Sequence, residues 1–363
     1  MTQIVTVPLK ANPYKIVIGH DILANFPTYI KTLGLGRDAV IISHPVIERL
    51  HGVKLSAALK KAGYSVKILN VPEGEKSKSA AFALRLIEQI ASYDVDKKIF
   101  IIALGGGVVG DLAGFVAAIY KRGIPYIQVP TTVLAQIDSA IGGKTAIDLK
   151  VGKNLVGAFH QPRLVISDTK VLRTLSRRQI VNGLAEAIKY GVIADAKLFN
   201  FLEANYTKFF KGEAAVVNYI VRRCAQIKAG VVAADEKDVK GVRAILNFGH
   251  TIGHAVEAAA KYDQYQHGES VGLGMRCALH LSRAGGLLSA KDEVRVNQLI
   301  STVGLPEKIK AVALKRILNL MRHDKKFVAG QNRFVLAEKI GRVRLVDNVP
   351  QEAIITAIKA YTA

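Results

Sequence analysis

The stretch Asn247-Phe248-Gly249-His250-Thr251-Ile252-Gly253-His254 reads as a helix start that carries two metal-capable side chains. His250 and His254 are four residues apart, so a helix sets both imidazoles on one face, one turn from each other. His267 follows in His267-Gly268-Glu269, which reads as a loop returning to the start of the next helix. Three nitrogens can then converge on one ion. Two partly exposed helix histidines would show the same spacing, so the motif needs support from elsewhere in the chain. Support comes from Gly183-Leu184-Ala185-Glu186-Ala187-Ile188-Lys189-Tyr190-Gly191, where Glu186 and Lys189 share a helix face. On a surface these two would form an ordinary ion pair. Inside an otherwise apolar run, Glu186 reads instead as a ligand. With His250 and His267 it gives three protein ligands and open positions, the arrangement of a catalytic zinc, and leaves His254 for a second role.

A second group of residues suits anions. Residues 99–111 run from a buried strand through Gly105-Gly106-Gly107 into a helix start, and Gly105, Gly107 and Gly110 satisfy GxGxxG. Such a turn lets the backbone approach a pyrophosphate at a helix N-terminus. It departs from the usual dinucleotide fingerprint, because it is not the first βα unit. About twenty residues on, the chain offers Pro130-Thr131-Thr132 where an acidic ribose partner is usual. Gly142-Gly143-Lys144 and Gly152-Lys153-Asn154 read as a flexible cationic loop suited to phosphate or carboxylate, and equally as a turn with solvated lysines. Asp138 adds a carboxylate nearby.

These side chains need elements to hold them. Residues 4–8 and 14–18 read as a hairpin, and 39–43, 66–71, 100–104 and 126–129 as strands, with helical patterns at 57–62 and 78–93 between them. That alternation predicts an α/β N-terminal domain with a Rossmann-like, mainly parallel sheet, over 1–175. From 176 to 363 the pattern is helical, at 177–190, 214–232, 247–260, 269–284, 289–302 and 350–361, with one late hairpin at 333–337 and 343–346. An all-α C-terminal domain is expected there. A length of 363 residues fits two cores.

Cys224 and Cys277, far apart and without metal-type spacing, predict no disulfide framework and a reducing compartment. The opening Met-Thr-Gln-Ile-Val lacks the regions of a signal peptide. Residues 99–120 could span a bilayer by length, but contain three successive glycines and Asp111. A cytoplasmic protein is expected, with no membrane partner. The 51 basic and 29 acidic residues give a net charge of +22, which raises nucleic acid as a partner. Against that, the lysines and arginines are dispersed, tryptophan is absent and no nucleic-acid module is found. A diffuse basic surface, or a site drawing a polyanionic small molecule, fits better.

Taken in order, the glycine turn, Asp138-Ser139 with Gly142-Gly143-Lys144, Gly152-Lys153-Asn154, Ala185-Glu186, Ile188-Lys189-Tyr190-Gly191, the Asn247–His254 motif, His267-Gly268-Glu269 and Asp324-Lys325-Lys326 closely resemble the 3-dehydroquinate synthase family. These are sugar-phosphate cyclases of the shikimate route to aromatic amino acids. The resemblance runs from Glu73 to Lys326 and implies a Zn²⁺ or Co²⁺ enzyme that keeps and recycles NAD⁺. It implies metal ligation by Glu186, His250 and His267. For NAD⁺ it implies Glu73, Gly74, Glu75, Lys76, Ser77 and Lys78, then Gly106, Gly107, Val108, Val109, Gly110 and Asp111. Thr131, Thr132, Lys144, Lys153, Val171, Leu172, Arg173 and Thr174 complete that set. The implied substrate is 3-deoxy-arabino-heptulosonate 7-phosphate, its phosphate held by Lys144, Asn154, Asn247, His254 and a lysine of the Lys325-Lys326 pair. Arg122 would reach that phosphate from the partner subunit of a homodimer. Asp138, Lys189, Lys228 and Arg243 would line its other polar groups. The implied reaction is transient oxidation, phosphate elimination, reduction, ring opening and aldol closure.

The chain departs from the family pattern twice. Segment 235–243 is one residue longer, with Asp238 where a glutamate is usual, so its site carboxylate is Asp238 or Glu236. Ser43-His44-Pro45 stands where relatives offer a polar or acidic ribose contact. Sister cyclases acting on other sugar phosphates resemble the chain too, but tend to change the residues that here are Asn247 and His254. A polyol or glycerol-phosphate dehydrogenase of similar plan is the more distant alternative; it would release NADH. A basic nucleic-acid-binding protein would need neither Glu186 nor His250.

Overall fold

The computed structural model describes residues 2–261, 264–322, 327–328 and 331–363. Nine strands lie in the first half of the chain: β1 Gln3–Val7, β2 Tyr14–Gly19, β3 Asp38–Ser43, β4 Ser65–Asn70, β5 Ile99–Gly105, β6 Tyr126–Pro130, β7 Lys144–Leu149, β8 Gly152–Phe159 and β9 Leu164–Asp168. Seven form one sheet in the order β1-β2-β9-β6-β5-β3-β4. Only β1 and β2 run antiparallel; the other pairs are parallel. Strands β5, β6 and β9 are buried at every position. A strand covered on both faces reads as a continuous apolar run, which is how Ile99-Phe100-Ile101-Ile102-Ala103-Leu104 stands in the sequence. Helices Ala80–Tyr93 and Gly107–Ile119 pack on it through Leu86, Ile90, Leu112 and Val116.

The chain divides into two compact units, Met1–Leu175 with Gly212–Lys237, and Ser176–Lys211 with Asp238–Ala363. The first break falls where the helical pattern begins. The helix Ala214–Ala234, expected with the second unit, belongs to the first, where it packs on β1, β2 and the turn Ala135–Ser139. Its amphipathic pattern reveals that it must cover something, but not which surface.

Among the described residues the second unit is helical apart from one small antiparallel sheet of Phe327–Val328 (β10), Gln331–Lys339 (β11) and Arg342–Asp347 (β12). Helix Arg177–Ala194 starts at a capping box of Ser176 and Gln179. Helix His250–Ala259 begins three residues later than the pattern suggested; Val242–Asn247 is a 3₁₀ turn, and Gly249 sits at φ +79° between them. That left-handed residue ends one helix and aims the next. It also lets helices His250–Ala259 and His267–Ala284 touch backbone to backbone. A Cβ on Gly274 would lie 1.9 Å from the Gly249 carbonyl oxygen, and one on Gly253 2.9 Å from that of Ser270. Among the described residues no helix is long and apolar enough to cross a membrane; residues 99–120 are β5 and the helix after it.

Gly274→Ala forces those two helices apart and is expected to cost about 3 kcal/mol, the upper end of ordinary overpacking. Urea unfolding measures it, and a wild-type midpoint would show that the crossing relaxes without cost.

Candidate active site

Glu186 lies mid-helix in Arg177–Ala194, between Ala185 and Ala187, and is only 1% exposed. Lys189, one turn on, is 2% exposed and pairs its ammonium with Glu186 Oε2. The pair is therefore internal, not the surface ion pair its spacing also allowed. His250 Nε2 stands 3.4 Å and His267 Nε2 3.7 Å from the other oxygen, Oε1. Neither carboxylate oxygen has a hydrogen bond of acceptable geometry. The outer nitrogens are engaged: His250 Nδ1 donates to the Phe248 carbonyl at 3.1 Å, and His267 Nδ1 to Glu257 Oε2 at 3.2 Å. Each ring thus turns Nε2 toward Glu186. His254 joins the group, with its ring centroid 5.1 Å from that of His250 and 5.8 Å from that of His267. One nitrogen from each of the three rings lies within 4.8 Å of the others.

A buried carboxylate oxygen, Glu186 Oε1, opposite imidazole nitrogens whose far sides are tied to a carbonyl and a carboxylate is what a divalent cation needs. Without one, protons carry the load. Burial opposes ionisation of Glu186, but Lys189 and His267 outweigh it and hold the carboxyl down to about 2. Burial likewise disfavours a charged His267, yet the carboxylates of Glu186 and Glu257 on either side of the ring hold the imidazolium up to about 10.

Glu257 was not foreseen. It follows His250 by seven residues on the same helix, so His250, His254 and Glu257 share a face, a spacing the sequence displays.

In the first unit the glycine turn is strand β5 passing into helix Gly107–Ile119, whose N-cap, Gly106, offers no side-chain cap. Its glycines differ in duty. Gly105 and Gly110 are packed tight, since a Cβ would lie 2.6 Å from Val109 and 2.9 Å from Gln128. Gly107 lies beside a hydroxyl, with Ser139 Oγ 3.1 Å from where its Cβ would be. The hydroxyls of Ser139 and Thr131 are buried with no hydrogen-bond partner. An uncapped helix start with orphaned hydroxyls suits a phosphate-bearing ligand.

The expected cationic loop is instead an ordered hairpin, β7 with β8. Glycines at 142, 143 and 152 masked its pairing. Lys78, 4% exposed, bonds Asp111 Oδ2 at 2.6 Å, lies 4.0 Å from Glu75 Oε1, and meets Asn154 Oδ1. Lys153 Nζ is 3.5 Å from Glu75 Oε2, and Asn154, at φ +57°, is held by Asp148. Burial pushes the Asp111 carboxyl up despite Lys78 beside it. Lys228 Nζ reaches Asp138 Oδ1 at 2.7 Å.

So the structure joins Lys78, Asp111, Glu75, Lys153 and Asn154 in one network, and Asp138 with Lys228 in another. Val171, Leu172, Arg173 and Thr174 form a 3₁₀ turn, Thr169–Thr174, that bonds His51 and the Gly212 carbonyl. His44 Nδ1 is buried without a partner, and Glu236 accepts from Gln161 at 3.1 Å. Arg122 and Lys121 both have left-handed φ, +62° and +48°; Asp94 pins this turn through Lys121 and Tyr120. Arg243 is buried and Asn247 closes its 3₁₀ turn. Lys325 and Lys326 lie outside the described residues.

Among solved structures, the chain superposes on a 2-epi-5-epi-valiolone synthase from Streptomyces hygroscopicus with NAD⁺ and Zn²⁺ bound, at TM-score 0.88 and 26% identity over 98% of both chains. It superposes on a 2-deoxy-scyllo-inosose synthase complexed with carbaglucose-6-phosphate, NAD⁺ and Co²⁺ at TM-score 0.87 and 26% identity, over 99% of this chain and 100% of that one. An iron-containing alcohol dehydrogenase shares the fold at TM-score 0.67 and 16% identity, over 95% of this chain and 96% of that one. The fold is thus that of the sugar-phosphate cyclases. Residues 68–182 match the model of the 3-dehydroquinate synthase N-terminal region and 183–327 that of its C-terminal region. 3-Dehydroquinate synthases of Desulforamulus reducens and Pelotomaculum thermopropionicum are 42% and 44% identical, over 98% and 99% of this chain and 99% and 96% of theirs. The chain belongs to the 3-dehydroquinate synthase family.

In the metal-free protein the His267 imidazole is expected to titrate near 10, against 6.5 for the unperturbed group. The raised value means that its ion pairs stabilise the fold fully below the unfolded value and fade as pH rises toward the folded one. An imidazole NMR titration reads this directly; a midpoint near 6.5 would show that Glu186 and Glu257 do not share its charge.

Proposed function

We propose that this protein is a 3-dehydroquinate synthase, converting 3-deoxy-D-arabino-heptulosonate 7-phosphate to 3-dehydroquinate and phosphate with NAD⁺ and Zn²⁺ or Co²⁺. The observation that carries the reading is the buried Glu186 carboxylate facing two imidazoles, in a chain 41–44% identical to enzymes of that name. Glu186, His250 and His267 would hold the divalent ion, and residues 176–363 would supply most of the metal and substrate contacts. When bound, the ion supplies Lewis-acid polarisation of a hydroxyl, and the dinucleotide accepts a hydride and returns it.

The chain's own residues do the rest. Lys189 keeps Glu186 ionised, so the carboxylate needs no deprotonation before an ion binds. Lys144, Asn154, Asn247, His254 and a lysine of the Lys325-Lys326 pair would grip the substrate phosphate. Cations at that position stabilise the dianion as it leaves. Asp138, Lys228 and Arg243 would orient the sugar hydroxyls, and the polar residues restrict the ring-opened product to conformers that close. In residues 1–175, Gly106, Gly107, Val108, Val109, Gly110 and Asp111, the 73–78 segment, Thr131, Thr132, Lys153 and residues 171–174 would receive NAD⁺. The orphaned Thr131 and Ser139 hydroxyls support that reading. Arg122 would serve the partner subunit of a homodimer, and the setting would be the cytoplasm.

The deciding experiment follows phosphate release and NADH absorbance together, using 3-deoxy-arabino-heptulosonate 7-phosphate, NAD⁺ and Zn²⁺. Many turnovers of phosphate without net NADH, abolished by a chelator, are expected. Accumulating NADH would indicate a dehydrogenase; silence with metal and cofactor bound would indicate a sister cyclase with another sugar phosphate. His250→Ala should lose both metal and activity while far-UV circular dichroism stays near wild type, and activity without metal would sink the ligand assignment. Lys153→Ala should raise KM for NAD⁺ or substrate about tenfold, or ~1.4 kcal/mol; unchanged kinetics would remove Lys153 from the site.

A further inference from the structure

We propose that Arg178 and Asn182 are positioning residues for His267, fixing that imidazole relative to Glu186. The inference rests on the reading of Glu186, His250 and His267 as metal ligands. Arg178, Asn182 and Glu186 are spaced four apart and so share one face of helix Arg177–Ala194. Glu186 is at the centre; the other two grip the start of helix His267–Ala284.

The grip is specific on both sides of His267. On one side, Asn182 Oδ1 accepts the Gly268 N–H at 2.6 Å. The backbones are so close that a Cβ on Gly268 would lie 2.0 Å from the Asn182 carbonyl oxygen. Arg178 forms a bidentate pair with Glu269, Nε to Oε1 and Nη2 to Oε2, both 2.7 Å, and Nη2 also donates to the Gln264 carbonyl at 3.1 Å. On the other side, Glu269 Oε2 accepts the Gln266 N–H at 2.8 Å and closes a capping box there. Residues 266, 268 and 269 are thus tied to each other or to the Glu186 helix, and His267 lies between them.

The tie matters because the His267 side chain is 31% exposed. Packing alone does not fix a half-open imidazole, whereas two parallel charge-assisted bonds set the direction of the backbone that carries it. Arg178 itself is 53% exposed, so its removal leaves the buried core intact. An exposed ion pair with no further duty would change the melting temperature slightly and leave ion binding alone.

The test measures Co²⁺ affinity of the full-length protein by competition with a chromophoric chelator, together with the visible ligand-field spectrum of the Co²⁺ form. Arg178→Ala is expected to weaken Co²⁺ binding about tenfold, the lower end of the range for groups that orient a ligand, and to alter the spectrum. Arg178→Lys, which keeps the charge but loses the fork, should fall between. Wild-type affinity and spectrum in Arg178→Ala, beside loss of binding in His267→Ala, would overturn the positioning role. Wild-type binding in His267→Ala would overturn the ligand reading itself. Should Arg178→Ala not fold, Arg178→Lys decides: affinity and spectrum equal to wild type would overturn the proposal.

Discussion

An ionised carboxylate enclosed by a helix of alanines and isoleucines is the constraint around which the second unit is built. Taking such a group out of water costs several kcal/mol even after relaxation, on the order of the whole stability of a domain. Glu186 is tolerated because Lys189 meets one oxygen and two imidazoles approach the other. Each of those partners must in turn be held, which accounts for the Phe248 carbonyl behind His250 and Glu257 behind His267. The polar centre spreads outward in shells, and each shell exists because the one inside it is under-compensated.

Geometry of this kind demands close backbones. Imidazoles are short, and rings on two different helices reach one carboxylate only if those helices nearly touch. Gly249, Gly253 and Gly274 supply that approach, so the glycines within Asn247–His254 serve the crossing as much as the local turn. The first unit follows the same logic, where Gly105 and Gly110 draw helix Gly107–Ile119 onto the sheet and its uncapped start stays open.

Much of this was legible in the chain. The buried strand β5 announced itself as an unbroken apolar run, and the four-residue spacing of His250 and His254 survived intact on helix His250–Ala259. Whether Glu186 and Lys189 faced water or core was not legible, because spacing fixes a face of a helix but not its neighbour. Glu257 was overlooked although its spacing was in plain view; a carboxylate near a helix end is ordinarily solvated, and only the folded chain shows His267 arriving from a different helix. Strand β9 and the β7–β8 hairpin were missed for a related reason. Short strands bounded by glycine, proline or charged residues carry little periodicity, and long-range pairing supplies what local propensity does not.

The helix Ala214–Ala234 returns to the first unit after the chain has spent residues 176–211 in the second. A ribosome therefore delivers the large sheet well before the piece that covers β1 and β2, and with it Lys228, the partner of Asp138. Until residue 237 emerges, that flank of the sheet stands bare and apolar. The nascent chain thus passes through an interval when it needs shelter from its neighbours, and a fragment cut at residue 175 would be left in that interval permanently.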